Sequence, residues 1–106
     1  MMEITPRQQQ QGRFWRKYLR LTRAGVPTLR AFEILYAEEQ DETFQRVIAR
    51  LQAAMEEGMM LSEAMASLGD TFSLSCVELI HTAEKGGQWD LAVEELADGL
   101  LEGTFD

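Results

Sequence analysis

The residues of this chain that could carry chemistry lie close together, in and just before the stretch "HTAEKGGQWD" (81–90). Glu78, His81 and Glu84 follow one another at three-residue spacing, so on a helix they share one broad face. Two carboxylates and an imidazole on one face form a ligand set for a divalent cation. No fourth ligand follows at a suitable spacing, and the same residue types on a solvated helix support one another through i,i+3 contacts. We therefore predict no metal at these three residues.

Nucleophilic and phosphate-binding chemistry fail a similar spacing test. Cys76 and His81 are five residues apart, which on a helix points them about 140° away from each other, so they do not form a nucleophile–base pair. A phosphate loop requires a preceding strand and Lys-Ser/Thr after its glycines. No strand is predicted before Gly86 and Gly87, and Gln-Trp-Asp follows them. We expect no catalytic residue, no bound cofactor and no enzymatic activity.

Apolar residues recur at helical spacing along almost the whole chain, and no segment alternates as a strand would. This pattern predicts an all-α fold, a compact antiparallel bundle of about six helices. The first dozen residues, "MMEITPRQQQQG", are polar and predict a flexible N-terminal tail over residues 1–12. Residues 13–106 then form a single helical-bundle domain.

Glycines and helix-capping residues mark the corners between these helices. Gly25 is expected to end the first helix, and Pro27 fits the first turn of the second. Asp41 is expected to cap the third helix and Gly58 to close it, with Ser62 opening the fourth. The glycine corners recur about every 30 residues, which leaves a tetratricopeptide-type repeat of about 34 residues as an alternative, although its Trp, Leu-Gly and Tyr positions do not align.

Charge is distributed unevenly in this chain of net charge −8: residues 1–30 carry seven basic and one acidic residue, whereas residues 31–106 carry three basic and 17 acidic residues. Such an acidic surface disfavours nucleic acid as a partner. Two oppositely charged surfaces are predicted to bind partners and to meet across a dimer. The basic face of the first helix comprises Arg13, Arg16, Lys17 and Arg20, and the acidic corner comprises Glu38, Glu39, Asp41 and Glu42.

The first helix is also amphipathic, since aromatic residues lie opposite its basic face. An alternative function is therefore a stand-alone helical adaptor that binds an anionic membrane surface or an acidic partner through this helix. No apolar run reaches the roughly 18–20 residues of a membrane span, so none is predicted in this chain. The single cysteine favours a reducing compartment, the cytoplasm.

Three segments in order, "LTRAGVPTLRAFEIL", "VIARLQAAMEEGMMLSEAM" and "FSLSCVELIHTAEKGGQWDLAVEELADGL", resemble the cytoplasmic domain of the type II secretion F-protein family. The resemblance rests on Gly25 and Pro27, on the stretch around Gly58, and on the glycine corner. There the family tends to show Gly-Glu-x-Ser/Thr-Gly-x-Leu-Asp/Glu. Glu84, Gly87 and Asp90 match this pattern, while Ala83 and Gly86 replace the first glycine and the Ser/Thr.

This resemblance implies a role at the inner-membrane platform of a type II secretion or type IV pilus machine. Domains of the family are implied to be non-catalytic helix bundles that pair as homodimers. They are implied to link the platform proteins to the cytoplasmic assembly ATPase, at the inner face of the inner membrane. The glycine corner is then a structural motif that joins the last two helices.

Overall fold

A computed structural model describes residues 4–103 of the chain. Over these residues the chain forms six α-helices, one short 3-10 turn and no strand, which confirms the predicted all-α fold. The helices are α1 (Pro6–Arg23), α2 (Thr28–Glu38), α3 (Glu42–Glu56), α4 (Leu61–Ala66), α5 (Leu74–Gly86) and α6 (Trp89–Glu102), and the 3-10 turn (Gly69–Thr71) lies between α4 and α5.

Helix α1 begins at Pro6, seven residues before the predicted start of the domain. Thr5 caps it: its hydroxyl accepts a hydrogen bond from the backbone N–H of Gln8 at 3.1 Å, and the Gln8 side chain accepts one from the Thr5 N–H at 2.8 Å. This reciprocal capping box, with proline at the first helical position, stabilises the start of a helix where the polar composition predicts a tail. The predicted tail over residues 1–12 is therefore corrected: residues 6–12 belong to α1, and residues 1–3 lie outside the described residues.

The first and last helices pack side by side in opposite directions. Gly12 of α1 faces Leu101 of α6, Arg16 pairs with Asp98, and Arg23 pairs with Glu94. As residue numbers rise along α1, those of the partners fall along α6, which is the signature of an antiparallel pair. Because α6 returns to α1, the bundle is closed, whereas a tetratricopeptide array would stack each helix pair on the next.

Aromatic side chains from α1, α2 and α3 form the centre of the core. Phe14 contacts Trp15, Phe32 and Phe44 edge to face, with ring centroids 4.9, 5.7 and 5.4 Å apart, and Tyr18 packs on Trp15 and Phe32 in the same way. All five are buried. Such pairs contribute about 0.5–1.5 kcal/mol each beyond the burial of apolar area. The aromatic face of α1 therefore faces inward.

Most corners lie where the sequence predicts them. The backbone at Gly25 has φ +93°, a left-handed conformation that favours glycine, and Gly58 closes α3. The Asp41 carboxylate caps α3 by accepting a hydrogen bond from the Thr43 N–H at 3.0 Å. Two details differ: Pro27 immediately precedes α2, and Ser62 is the second residue of α4, which begins at Leu61.

Candidate functional site

The three candidate metal ligands on α5, Glu78, His81 and Glu84, have different surroundings in the fold. The side chain of Glu84 is only 6% exposed, and its two oxygens accept hydrogen bonds from Ser62 of α4. Oε1 accepts from the Ser62 hydroxyl at 2.5 Å and Oε2 from the Ser62 backbone N–H at 2.9 Å. Glu84 thus caps the first turn of α4, where backbone N–H groups have no partner within the helix.

Ser62, His81 and Glu84 form a cluster that contains the residue types of a serine hydrolase. In a catalytic relay, the two nitrogens of the imidazole contact the serine and the carboxylate separately. Here one atom, His81 Nδ1, lies 3.5 Å from Ser62 Oγ and 3.8 Å from Glu84 Oε1. The Ser62 hydroxyl already donates to Glu84, and Ser62 is buried. This geometry positions a helix terminus and does not activate a nucleophile.

No group of three His, Cys, Asp or Glu side chains within residues 4–103 is arranged to hold a metal ion. Because the Glu84 carboxylate is directed at Ser62, the sequence pattern at Glu78, His81 and Glu84 does not become a ligand set. The signal for this arrangement was present in the sequence only as two separate motifs, the stretch "LSEAM" and the glycine corner.

The glycine corner is a helix terminus, as predicted. Helix α5 ends at Gly86, and Gly87 follows with φ +76°, while its N–H donates to the Ala83 carbonyl at 3.2 Å. This left-handed cap turns the chain directly into α6. Asp90 lies in the first turn of α6, where a carboxylate interacts favourably with the helix dipole, and it also lies 3.6 Å from the Arg23 guanidinium.

The basic face of α1 is divided between two grooves. On the α6 side, Arg16 Nη2 lies 2.5 Å from Asp98 Oδ1, and Arg20 lines the same groove, a cavity of about 390 Å³. Next to it, Arg23 Nη2 donates to Glu94 Oε2 at 2.7 Å, and this hydrogen bond is the main reason that the pKa of Arg23 is raised. These pairs tie α1 to α6.

On the α2 side, Arg13 and Lys17 share a cavity of about 210 Å³ with Glu38 and Glu39. The basic face and the acidic corner therefore meet within one chain, because the turn at Gly25 folds α2 back along α1. Arg13, Lys17 and Arg20 make no ion pair within 4 Å to any residue between 4 and 103. They are the basic residues of this face that remain available to a partner.

Asp41 and Glu42, the remaining members of the acidic corner, differ in their environments. Gln10 Nε2 donates to Asp41 Oδ2 at 2.7 Å. This bond, followed by the one from the Thr43 N–H, lowers the pKa of the Asp41 carboxyl. Asp41 is thus a cap for α3 and an anchor for α1, whereas Glu42 lies exposed in the first turn of α3.

None of the helices described between residues 4 and 103 combines the length and the apolar character that crossing a membrane requires. The large apolar side chains that are most exposed, Leu74 on α5 and Leu91 on α6, lie on different helices.

Comparison with known proteins identifies the family. Residues 14–104 match the family model described as type II secretion system (T2SS), protein F. The chain is 33% identical over 89 residues to the type 4 fimbrial assembly protein PilC of Pseudomonas putida, covering 84% of this chain and 22% of that protein.

Two further relatives agree. The type II secretion system protein F of Xanthomonas campestris is 31% identical over 87 residues, covering 82% of this chain and 22% of that protein. The type IV pilus assembly protein PilC of Myxococcus xanthus is 25% identical over 84 residues, covering 79% of this chain and 20% of that protein. The chain thus spans about a fifth of the length of these curated relatives.

Proposed function

Because the chain belongs to the type II secretion system protein F family, we propose that it is a non-catalytic interaction domain of a type II secretion or type IV pilus assembly platform. In this proposal it connects the platform proteins of the inner membrane to the cytoplasmic assembly ATPase, from the cytoplasmic side of that membrane. The observation that carries the proposal is the family match, which spans residues 14–104 and so covers nearly all of the bundle.

The use of the polar residues supports a non-catalytic role. Ser62 and Glu84 satisfy each other at a helix terminus, and Asp41 caps α3 while anchoring α1. A general base or nucleophile must instead have an unsatisfied position directed at a substrate. Ser62, Glu84 and Asp41 are thus occupied in holding helices together.

We place the partner-binding surface on the groove between α1 and α2. Arg13 and Lys17 lie on one side of it and Glu38 and Glu39 on the other, so the surface is positive along one edge and negative along the next. Two copies related by a two-fold axis can oppose the positive edge of one to the negative edge of the other. The same pattern suits a partner with paired charges, because electrostatic complementarity sets specificity and association rate.

The alternative, a stand-alone adaptor that binds anionic membranes through α1, has weaker support. Membrane association by an amphipathic helix requires its apolar face to enter the lipid. In this bundle Phe14, Trp15 and Tyr18 are buried in the core, so the helix offers only its charges. The acidic-partner form of that alternative shares its surface with the proposal above.

The experiment uses charge reversal at the two unpaired basic residues of the groove. A double variant, Arg13→Glu with Lys17→Glu, is compared with a control of equal charge change, Arg30→Glu with Lys85→Glu. Biolayer interferometry measures binding to the assembly ATPase of the same system, and sedimentation velocity measures self-association. We expect the groove variant to weaken at least one association about fivefold or more and the control variant to leave both within about twofold.

Three outcomes would contradict the proposal. One is a wild-type chain that binds neither the ATPase nor itself at high micromolar concentration. Another is an equal loss of affinity in the groove and control variants, since binding would then depend on the net charge of the chain and not on this surface. The third is turnover of a substrate by the purified chain.

A further inference from the structure

A small cavity between α3 and the turn that follows α4 contains two arginines and no acidic residue. Its volume is about 190 Å³. Arg46 and Arg50 are exposed, and neither makes an ion pair within 4 Å to another residue of the described range 4–103. The lining consists of Thr43, Arg46, Val47, Arg50, Leu68 and Thr71.

This placement is unusual in so acidic a region. Residues 31–106 contain three basic and 17 acidic residues, yet two of the three basic ones share this cavity. Arg46 and Arg50 are four residues apart on one helix, a spacing at which like charges repel. Asp41 interacts electrostatically with Arg46, but its carboxylate already accepts from Gln10 and from the Thr43 N–H, and it does not line the cavity.

We propose that Arg46 and Arg50 bind the carboxylate of an Asp or Glu side chain on a protein partner. Guanidinium groups hold carboxylates by paired hydrogen bonds, and two neighbouring arginines lose their mutual repulsion when they share one anion. Thr43 also lines the cavity and contributes a hydroxyl group as a further donor. This site is separate from the α1–α2 groove and does not depend on the function proposed for it.

The size and walls of the cavity match one acidic side chain. Small-molecule sites are usually about 300–1,000 Å³, and this cavity is smaller. Val47 and Leu68 supply apolar walls against which the methylene groups of Glu or Asp can pack. Thr71 closes one side, and its hydroxyl donates to the Leu68 carbonyl at 3.0 Å, which holds that wall in place.

The net charge of the chain favours a protein over an extended polyanion. Nucleic acids and anionic membranes present many negative charges, and a chain of net charge −8 repels them. A single carboxylate on a partner meets only the local field of the two arginines. The exposed position of the pair also makes binding sensitive to salt.

The test is a titration of the folded chain with a short glycine peptide that contains one glutamate and is blocked at both ends, followed by NMR at the arginine Nε–H signals. We expect saturable shifts at Arg46 and Arg50, and none with the matched peptide in which glutamine replaces the glutamate. Arg46→Gln and Arg50→Gln should each weaken the affinity about fivefold. Lys85→Gln removes the third basic residue of the region with the same change in net charge, and its affinity should stay within about twofold of wild type.

Parallel titrations distinguish the possible sources of the anion. Equal shifts at every arginine would overturn the proposal, since they indicate counterion binding without a site. Tighter binding of a short DNA duplex, or of vesicles rich in phosphatidylglycerol, to the same two arginines would also overturn it. If Arg46→Gln and Arg50→Gln leave the binding of the glutamate peptide intact, these two arginines do not form a carboxylate site and the proposal is wrong.

Discussion

Glu84 near the end of α5 caps the start of α4 through both of its carboxylate oxygens, which accept from Ser62 Oγ at 2.5 Å and from Ser62 N at 2.9 Å. The two residues are 22 positions apart in the chain. One side chain therefore joins two consecutive helices at the end opposite to their connecting turn. Since α4 has only six residues, its own backbone hydrogen bonds give it little stability. The contact from Glu84 adds stability from outside the helix.

Replacement of this carboxylate should destabilise the bundle. Glu84→Gln replaces a charged acceptor of two hydrogen bonds by a neutral amide that can accept only one of them, so we expect a loss of about 1–3 kcal/mol in the free energy of unfolding. Urea unfolding followed by circular dichroism measures it. Glu78→Gln, on an exposed position of the same helix, is the control and should change stability by less than about 0.5 kcal/mol.

A double-mutant cycle with Ser62→Ala separates the pair from its surroundings. If Ser62 and Glu84 act as one unit, the double variant loses less than the sum of the single losses. Strict additivity would mean that the hydrogen bonds contribute no coupling, which would contradict the role assigned to Glu84.

A second prediction concerns the contact between Gly12 of α1 and Leu101 of α6. A Cβ atom added to Gly12 would lie 2.7 Å from Leu101 Cγ and 3.2 Å from the Leu101 backbone nitrogen. Alanine favours a helix by about 1 kcal/mol over glycine, but overpacking costs about 1–3 kcal/mol. We expect Gly12→Ala to lower the free energy of unfolding and Gly12→Val to lower it further.

The control for this prediction is Gly86, which is also helical. A Cβ added there would meet no atom within 4 Å beyond its chain neighbours and the backbone of its own helix. Gly86→Ala should therefore be neutral or stabilising by up to about 1 kcal/mol in the same urea assay. If Gly12→Ala proves as stable as Gly86→Ala, the two helices are not in the close contact described.

Local signals in the sequence were sufficient to predict most helices and corners. Asp41, Gly25 and Gly87 act within a few residues of their own position, so their roles can be read from their type and their neighbours. The polar run "QQQQ" predicts a tail where α1 begins, although the Thr5–Gln8 capping box is an equally local feature of the sequence.

Contacts between distant segments could not be predicted in the same way. Helical periodicity shows that Arg13 and Arg16 share a face of α1. It does not show that Asp98 of α6 pairs with Arg16. It also does not show that Glu38 and Glu39 of α2 share a groove with Arg13. Nor does it show that the Glu84 carboxylate accepts a hydrogen bond from Ser62 and is therefore not directed at a metal ion with Glu78 and His81. These relationships depend on how helices pair, and the pattern within one helix contains no information on its neighbours.

The pH dependence of stability should reveal the burial of Tyr18. Burial raises the pKa of the Tyr18 phenol, and its hydrogen bond with Thr28 Oγ1 at 3.1 Å offsets part of this effect. A raised folded-state pKa means that the folded chain retains this proton after the unfolded chain has lost it. The titration of Tyr18 therefore leaves stability unchanged below about pH 10, and stability falls as the pH rises above that value.

Tyr18→Phe tests this relationship. The variant should lose about 1 kcal/mol at neutral pH with the hydrogen bond to Thr28, and its stability should decline less steeply above about pH 10. Tyr36→Phe, at an exposed position on α2, should follow the wild-type curve. An alkaline decline that Tyr18→Phe leaves unchanged would place its cause elsewhere.

The last prediction concerns the two halves of the basic face. Arg16→Glu places a carboxylate beside Asp98, so it should lower the free energy of unfolding by up to about 1 kcal/mol, the range of an exposed pair. Arg13→Glu breaks no ion pair within the described residues and should leave stability within about 0.5 kcal/mol of wild type. Thermal unfolding at low and high salt measures both, and salt should reduce the difference. Equal destabilisation by both variants would show that Arg13 also holds the bundle together, and the α1–α2 groove would then not be a surface left free for a partner.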